Sequence, residues 1–326
     1  MLFDTHQRAH NYLRISLTDA CNFRCFYCMP DEEVDVTPSS KLMSKEEIVS
    51  IAKIFVSLGV SKIRLTGGEP LVRKDVAAII QELGKLPVKL TMTTNGVLLH
   101  KFMGIFKEAG LSSVNVSLDT LNPATFLALT KRDQFQQVKE NIDLLLEENF
   151  SVKVNVVALH GINDKEINHF VEWTRYAPVH IRFIEFMPFT DNQWKSRNVF
   201  TYEQILTQIG QEFDVIKLKD DLNDTTKKYT VPGHAGTFAV ISTMTAPFCN
   251  TCNRIRLTAD GKLKNCLFSK GETDLLTAFR KGEDIIPLIT ENILKKEKAL
   301  GGQLLTDFTK IQPGDVANRS MISIGG

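Results

Sequence analysis

Three observations predict the fold class. Strand-like and helix-like runs alternate over the first 190 residues, which implies an α/β protein with a parallel sheet and helices packed outside it. The alternation yields six βα units, two short of a closed eight-unit barrel, so the expectation is a partial (βα)6 barrel, TIM-like but open, with a wide mouth. The pattern then changes near residue 190, so the expected division is 1–190 for the barrel and 191–326 for a C-terminal extension that closes the mouth.

The elements follow in order. Residues 12–18 (YLRISLT) read as a strand, and 45–59 carry apolar residues at helical spacing up to Gly59. Residues 61–68 are β-like and 75–85 helical; 89–96 form a strand and 98–110 a helix. The same pair recurs as 113–119 and 137–150, then as 151–159 and 166–176, before a last strand over 180–188. Beyond it, 201–213 read as a helix and 219–228 (KDDLNDTTKK) as a charged, mobile connection, followed by two short strands. Asp260-Gly261 marks a hairpin between β-like runs. Residues 274–282 and 284–300 look helical, and the stretch from about Gly301 has weak periodicity.

A hydrophobic share of 43% and a charged share of 24% are ordinary for a globular chain, and a net charge of +1 argues against bulk attraction to nucleic acid or a membrane. No stretch approaches the roughly 18 apolar residues of a membrane span, and the opening residues carry no apolar core like that of a secretory signal. A cytoplasmic setting is the expectation, and there clustered cysteines more often bind metal than pair as disulfides.

The six cysteines divide three and three. Cys21, Cys25 and Cys28 are spaced C-x3-C-x2-C on the loop after the first strand, the edge where parallel α/β folds place active sites. Three thiolates can hold three irons of a cubane and leave the fourth open for an outside ligand. A zinc knuckle, a disulfide with a spare thiol, or buried structural cysteines are the plainer readings. Cys249, Cys252 and Cys266 form a second trio, C-x2-C-x13-C, with no histidine close by in sequence. It reads as a second open cluster or as a zinc ribbon short of one ligand. Arg254 and Arg256 follow and alternate, so both project to one face of a strand.

Arg14, Lys62, Arg64, Lys153 and Arg182 interrupt apolar strands. Buried cations are costly unless paired. One of them alone reads as a strand-end ion pair, but their recurrence on successive strands suggests a cationic interior suited to a polyphosphate.

The cysteine spacing with Tyr27 before the last thiol, and Thr66-Gly67-Gly68-Glu69-Pro70 after the second strand, resemble the radical S-adenosylmethionine enzymes. CNFRCFYC, RLTGGEP, TTNG, NVSLD, KVNVV, RFIEFMP, FCNTCNRIRLTADGKL and the terminal Gly325-Gly326 occur in the order seen in the molybdenum-cofactor biosynthesis protein A family, the GTP 3′,8-cyclases. The resemblance is weakest over the first ten residues, over 190–230 and over about 285–318.

That resemblance implies a lyase with two [4Fe–4S] clusters, one held by Cys21, Cys25 and Cys28 and binding S-adenosylmethionine, the other held by Cys249, Cys252 and Cys266 and meeting the guanine base. Tyr27, Gly68, Ser117 and Met187 would contact S-adenosylmethionine. Arg14, Arg64, Thr93, Lys153, Arg254 and Arg256 would contact GTP, with Lys62 and Arg182 near its triphosphate; Arg14, Arg254 and Arg256 are the catalytic candidates. Gly325 and Gly326 would reach into the site as a tail. The implied reaction uses a 5′-deoxyadenosyl radical to turn GTP into 3′,8-cyclo-7,8-dihydro-GTP, the first step toward molybdenum cofactor. The implied partners are a reducing electron donor, a downstream cyclic pyranopterin monophosphate synthase and a second copy of the chain in a homodimer, with neither nucleic acid nor membrane. The competing readings are a peptide-modifying radical enzyme with an auxiliary cluster, and a zinc-held scaffold.

Overall fold

Alternation within each strand decides where side chains go. In β1 (Tyr12–Ser16), Leu13 and Ile15 are fully buried against the helices, whereas Tyr12 and Arg14 turn the other way. The computed structural model describes residues 1–29, 36–190, 192–304, 307–312, 314 and 316–325. The βα series continues with α1 (Lys45–Ser57), β2 (Lys62–Thr66), α2 (Val76–Gly84), β3 (Lys89–Thr94), α3 (Met103–Glu108) and β4 (Ser113–Ser117). It goes on through α4 (Pro123–Thr130), α5 (Phe135–Glu147), β5 (Ser151–Ala158), α6 (Ile167–Trp173) and β6 (His180–Glu185). Ser44 and Glu47 form a capping box that starts α1, and Gly59, at φ +100°, turns the chain out of it.

Within the βα series two elements differ from expectation, and beyond it the helix expected over 284–300 ends at Leu294. The helix expected over 98–110 is a 3-10 turn, Leu99–Lys101, followed by α3. Helix α4 was not anticipated: its apolar residues do not gather on one face, but Asn122 accepts from the Ala124 and Thr125 N–H groups and Pro123 occupies the first turn.

Beyond residue 190 come α7 (Tyr202–Gly210), β7 (Ile216–Lys217), β8 (Lys227–Thr230), β9 (Thr237–Ile241), β10 (Arg254–Leu257), β11 (Lys262–Lys264), β12 (Thr273–Asp274), α8 (Leu275–Arg280), α9 (Ile286–Leu294) and α10 (Met321–Ile324). These strands extend the barrel sheet at both ends, in the order β12-β11-β10-β1-β2-β3-β4-β5-β6-β9-β8-β7. Strands β10, β1 to β6 and β9 run parallel, and the outer strands return antiparallel. The expected hairpin joins β10 to β11, with Gly261 at φ +71° and the Thr258 N–H donating to the Lys262 carbonyl. The charged connection over 219–228 is held by ion pairs from Lys228 to Asp221 and Asp224, and its last two residues begin β8. The sheet does not close, and its concave face is the wall of a cavity. The apolar core lies on the other side of the sheet, where Ile63, Leu65, Val114, Val116 and Val154 meet Phe55, Ile79 and Ile142 of the helices.

Candidate active site

A cavity of about 970 Å³ opens on the concave face, at the top of the range of roughly 300–1,000 Å³ for small-molecule sites. Cys21, Cys25 and Cys28 line it from the loop after β1, and Cys249, Cys252 and Cys266 line it from the turns flanking β10 and β11. The two trios share one chamber although Cys249 lies 221 positions beyond Cys28 in the chain.

The donor sets fit iron–sulfur clusters. All six thiols are unpaired. Cys21 Sγ accepts from the Phe23 N–H at 3.4 Å, Cys249 Sγ from the Leu300 N–H at 3.4 Å, and Cys252 Sγ from Lys296 Nζ at 3.5 Å. Donors of this kind stabilise and tune cluster thiolates. Among the described residues, no group of three or more His, Cys, Asp or Glu is placed to hold a single metal ion. The two trios differ electrostatically. Burial pushes the Cys21 thiol up to about 11 and raises Cys25 and Cys28. Burial also opposes ionisation of Cys252, but Arg254 and Lys296 outweigh it and bring that thiol down to about 6.

Tyr27, Gly68, Ser117 and Met187 line the same cavity. The Tyr27 hydroxyl is bonded to Asp119, whose other oxygen accepts from the Val157 N–H at 2.8 Å. A Cβ on Gly68 would lie 2.5 Å from the Asp19 and Ala20 carbonyl oxygens, and the Gly68 and Glu69 N–H groups donate to Thr18 and Ala20. These glycines therefore let the β2 loop press against the backbone leading into Cys21.

The cations form rows across the sheet. Arg254, Tyr12, Lys62 and Lys89 stand opposite one another on β10, β1, β2 and β3, and Arg256, Arg14 and Arg64 form the next row inward. Lys153 sits beside Asn115 and His180, and Arg182 beside Asn155. All of these line the cavity, as does Thr93, whose hydroxyl accepts from Arg64 Nη1 at 3.2 Å. Like charges directly opposite destabilise a sheet. Among the described residues, none of Lys62, Arg64, Lys153, Arg182, Arg254 and Arg256 forms an ion pair with a carboxylate. The cavity's own carboxylates are taken by other groups: Glu69 accepts from the Leu71 and Asn95 N–H groups, and Glu185 from those of Tyr202 and Met244. Burial and crowding lower Lys153 to about 8 and Arg182 to about 9, and burial lowers Arg14 to about 10 and Arg256 well below its ordinary value.

Sequence reasoning missed Tyr12. It reads as a routine strand aromatic, yet Arg64 Nε donates to its hydroxyl at 2.5 Å and Lys62 Nζ lies 4.4 Å from its ring centre. Burial opposes its ionisation, but Arg64, Arg14 and Lys62 outweigh burial and bring the phenol down to about 7. The tail enters the same region: the Gly325 carbonyl accepts from Arg256 Nη1, and a Cβ on Gly325 would lie 2.7 Å from Thr66 Oγ1. Gly326 lies outside the described residues.

An open parallel barrel with a C-x3-C-x2-C loop at the carboxyl end of its first strand defines a radical S-adenosylmethionine protein. The Radical SAM superfamily model matches residues 15–174, and the Molybdenum Cofactor Synthesis C model matches 179–301. The GTP 3′,8-cyclase of Arabidopsis thaliana mitochondria is 46% identical over 333 residues, spanning 100% of this chain and 84% of that protein. Molybdenum cofactor biosynthesis protein 1 of Dictyostelium discoideum is 42% identical over 100% of this chain, which spans about half, 52%, of its length. The structure of Streptococcus suis SuiB bound to S-adenosylmethionine superposes with a TM-score of 0.58 at 14% identity, over 89% of this chain and 68% of that one, a likeness of fold. The chain belongs to the GTP 3′,8-cyclase family. No helix among the described residues is long and apolar enough to cross a membrane.

Proposed function

We propose that this chain is a radical S-adenosylmethionine enzyme that converts GTP to 3′,8-cyclo-7,8-dihydro-GTP, opening molybdenum cofactor biosynthesis. The observation that carries this reading is the shared chamber: both cysteine trios line it together with Lys62, Arg64, Lys153, Arg182, Arg254 and Arg256, none of which pairs with a carboxylate among the described residues. Such a space calls for a polyanion.

In this reading Cys21, Cys25 and Cys28 hold one [4Fe–4S] cluster and Cys249, Cys252 and Cys266 another, while Tyr27, Gly68, Ser117 and Met187 contact S-adenosylmethionine. The first centre and S-adenosylmethionine supply, when bound, the radical chemistry that opens the reaction. The chain's own work is to orient and to exclude water. Arg14, Arg64, Lys62, Lys153 and Arg182 hold the triphosphate, with Thr93 fixing the Arg64 fork. Arg254 lies 3.6 Å from Cys252 Sγ and packs on the Phe248 ring, placing a cation beside the second centre where the base would sit. Arg256 Nη1, its proton affinity lowered by burial, is placed to hold or deliver a proton during reduction of the cyclised product. The tail reaches the site through Gly325, whose carbonyl accepts from Arg256 Nη1.

A low-potential electron donor, handover to a cyclic pyranopterin monophosphate synthase, homodimer formation, a cytoplasmic setting and the division at 190/191 are further parts of the proposal. The test is anaerobic reconstitution followed by incubation with S-adenosylmethionine, dithionite and GTP. About eight irons per chain and GTP-dependent 5′-deoxyadenosine are expected. Arg256→Ala should lose cyclised product and keep both clusters; loss of iron instead would remove this arginine from substrate chemistry. Stoichiometric zinc without iron would favour the scaffold reading.

A further inference from the structure

The first ten residues, one of the stretches that least resemble the family, reach the second trio through Arg8. Residues 2–10 form a tight loop closed by the Phe3–Ala9 bridge and by the His10 N–H donating to the Leu2 carbonyl, with Gln7 at φ +62° at the turn. At its centre Asp4 is 2% exposed and Arg8 6% exposed. Asp4 accepts from Arg8 Nε at 2.6 Å, from the Arg8 N–H at 3.0 Å and from the His6 N–H at 2.8 Å, and it is 3.0 Å from His10 Nε2. With Nε so held, the rest of the guanidinium points away from the loop. Nη1 donates to the Cys249 carbonyl at 2.9 Å and to the Lys298 carbonyl at 2.8 Å, and Nη2 donates to the Glu297 carbonyl at 2.8 Å.

We propose that Arg8, fixed by Asp4, is a positioning residue for the second sulfur centre, clamping the turn that presents Cys249 and Cys252 to the segment after α9. This deepens the reading given above and rests on it. The geometry explains why one planar fork is needed. The Cys249–Thr251 turn is a single 3-10 turn without a side-chain cap. The 296–300 segment supplies two of the donors to this trio, Lys296 Nζ to Cys252 Sγ and the Leu300 N–H to Cys249 Sγ, beside Arg254 Nη2, which donates to Cys252 Sγ. Arg8 bridges the Cys249 carbonyl to the Glu297 and Lys298 carbonyls, which lie between those two donors, so it sets the spacing of sulfurs and donors together. A lysine offers a point charge that cannot span three carbonyls while also holding Asp4.

Partners that orient ligands typically cost about 10–100-fold in metal affinity when removed. The test uses the full chain, reconstituted anaerobically, in a Cys21→Ala/Cys25→Ala/Cys28→Ala background so that iron release to a chelator reports the second centre alone. Arg8→Ala should release iron at least about 10-fold faster, with Arg8→Lys only partly restoring retention. In the otherwise wild-type chain the first centre should be unaffected. In metal-free protein, Arg8→Ala should lose amide protection at 249–253 and 297–300 but not at 21–28, a localised change that general destabilisation would not give. If Arg8→Ala does not fold, Arg8→Lys and Asp4→Asn carry the same test. Unchanged release and unchanged protection in these variants would overturn the proposal. If the Cys249→Ala/Cys252→Ala/Cys266→Ala chain instead binds as much iron as wild type, the cluster reading itself is at fault, and the two failures are distinct.

Discussion

Replacing Tyr12 with Phe isolates one oxygen atom at the centre of the cation rows. The hydroxyl accepts from Arg64 Nε, and Arg14 is also bonded to it. Hydrogen bonds to charged groups contribute about 1.5–3 kcal/mol, so below neutrality Tyr12→Phe should weaken GTP binding roughly 10- to 100-fold, by letting Arg64 and Arg14 lose their alignment. Above neutrality the difference shrinks. Because Arg64, Arg14 and Lys62 bring the phenol down to about 7 against its burial, the empty site increasingly carries a phenolate as pH rises. A bound triphosphate opposes that anion, so binding must return a proton to Tyr12. Wild-type affinity should then fall by up to about tenfold per pH unit above about pH 7, while the variant, having no phenol, stays flat and the two curves converge near pH 8. Lys153, at about 8, loses charge only beyond that window and does so in both proteins. The assay is calorimetric GTP binding in two buffers of different ionisation enthalpy, where the difference between wild type and variant cancels protons released by GTP itself. Equal proton uptake by both proteins at about pH 7.5 would refute the coupling.

Lys153→Met should weaken GTP binding by about 10-fold or more through loss of a buried charge-assisted contact, and above about pH 8 should show only the decline set by Tyr12, without the further steepening that the lowered proton affinity of Lys153 adds in the wild type; a KM unchanged at all pH values would remove Lys153 from the triphosphate site. Gly68→Ala places a methyl 2.5 Å from the Asp19 and Ala20 carbonyls, so the chain before Cys21 must move. Overpacking of this kind costs about 1–3 kcal/mol, and the expected readout is loss of iron from the first centre with the second intact; retention of both would show that the cluster loop yields without harm.

How much of this was legible in the sequence depends on the kind of contact. The strands were legible because alternation puts Leu13, Ile15, Ile63 and Leu65 on the helix side and leaves Arg14, Lys62 and Arg64 for the cavity. The two trios were legible because six cysteines in two groups of three are a pattern in themselves. Helix α4 was not, since its caps rather than its periodicity define it. Tyr12 escaped because an aromatic at a strand start is ordinary, and only the register with Arg254 and Lys62 gives it a cationic setting. Arg8 escaped for a different reason. It binds backbone carbonyls up to 290 positions away, and a carbonyl leaves no trace in residue identity.

The partners of the interior cations explain how such a site folds without defeating its purpose. Carboxylates would satisfy these cations most strongly, but they would also cancel the field and compete with a polyphosphate. The chain uses neutral acceptors instead: the Met92 carbonyl and the Thr93 and Tyr12 hydroxyls for Arg64, the Asn155 amide oxygen for Arg182, and the Gly325 carbonyl for Arg256. Each acceptor fixes a guanidinium's direction and leaves its charge in place. The repulsion between opposed rows is offset by the apolar layer on the other face of the same strands, where Leu13, Ile15, Ile63, Leu65, Ile255 and Leu257 are fully buried. Stability and charge thus reside on opposite faces of one sheet, and period-two alternation lets a single strand serve both.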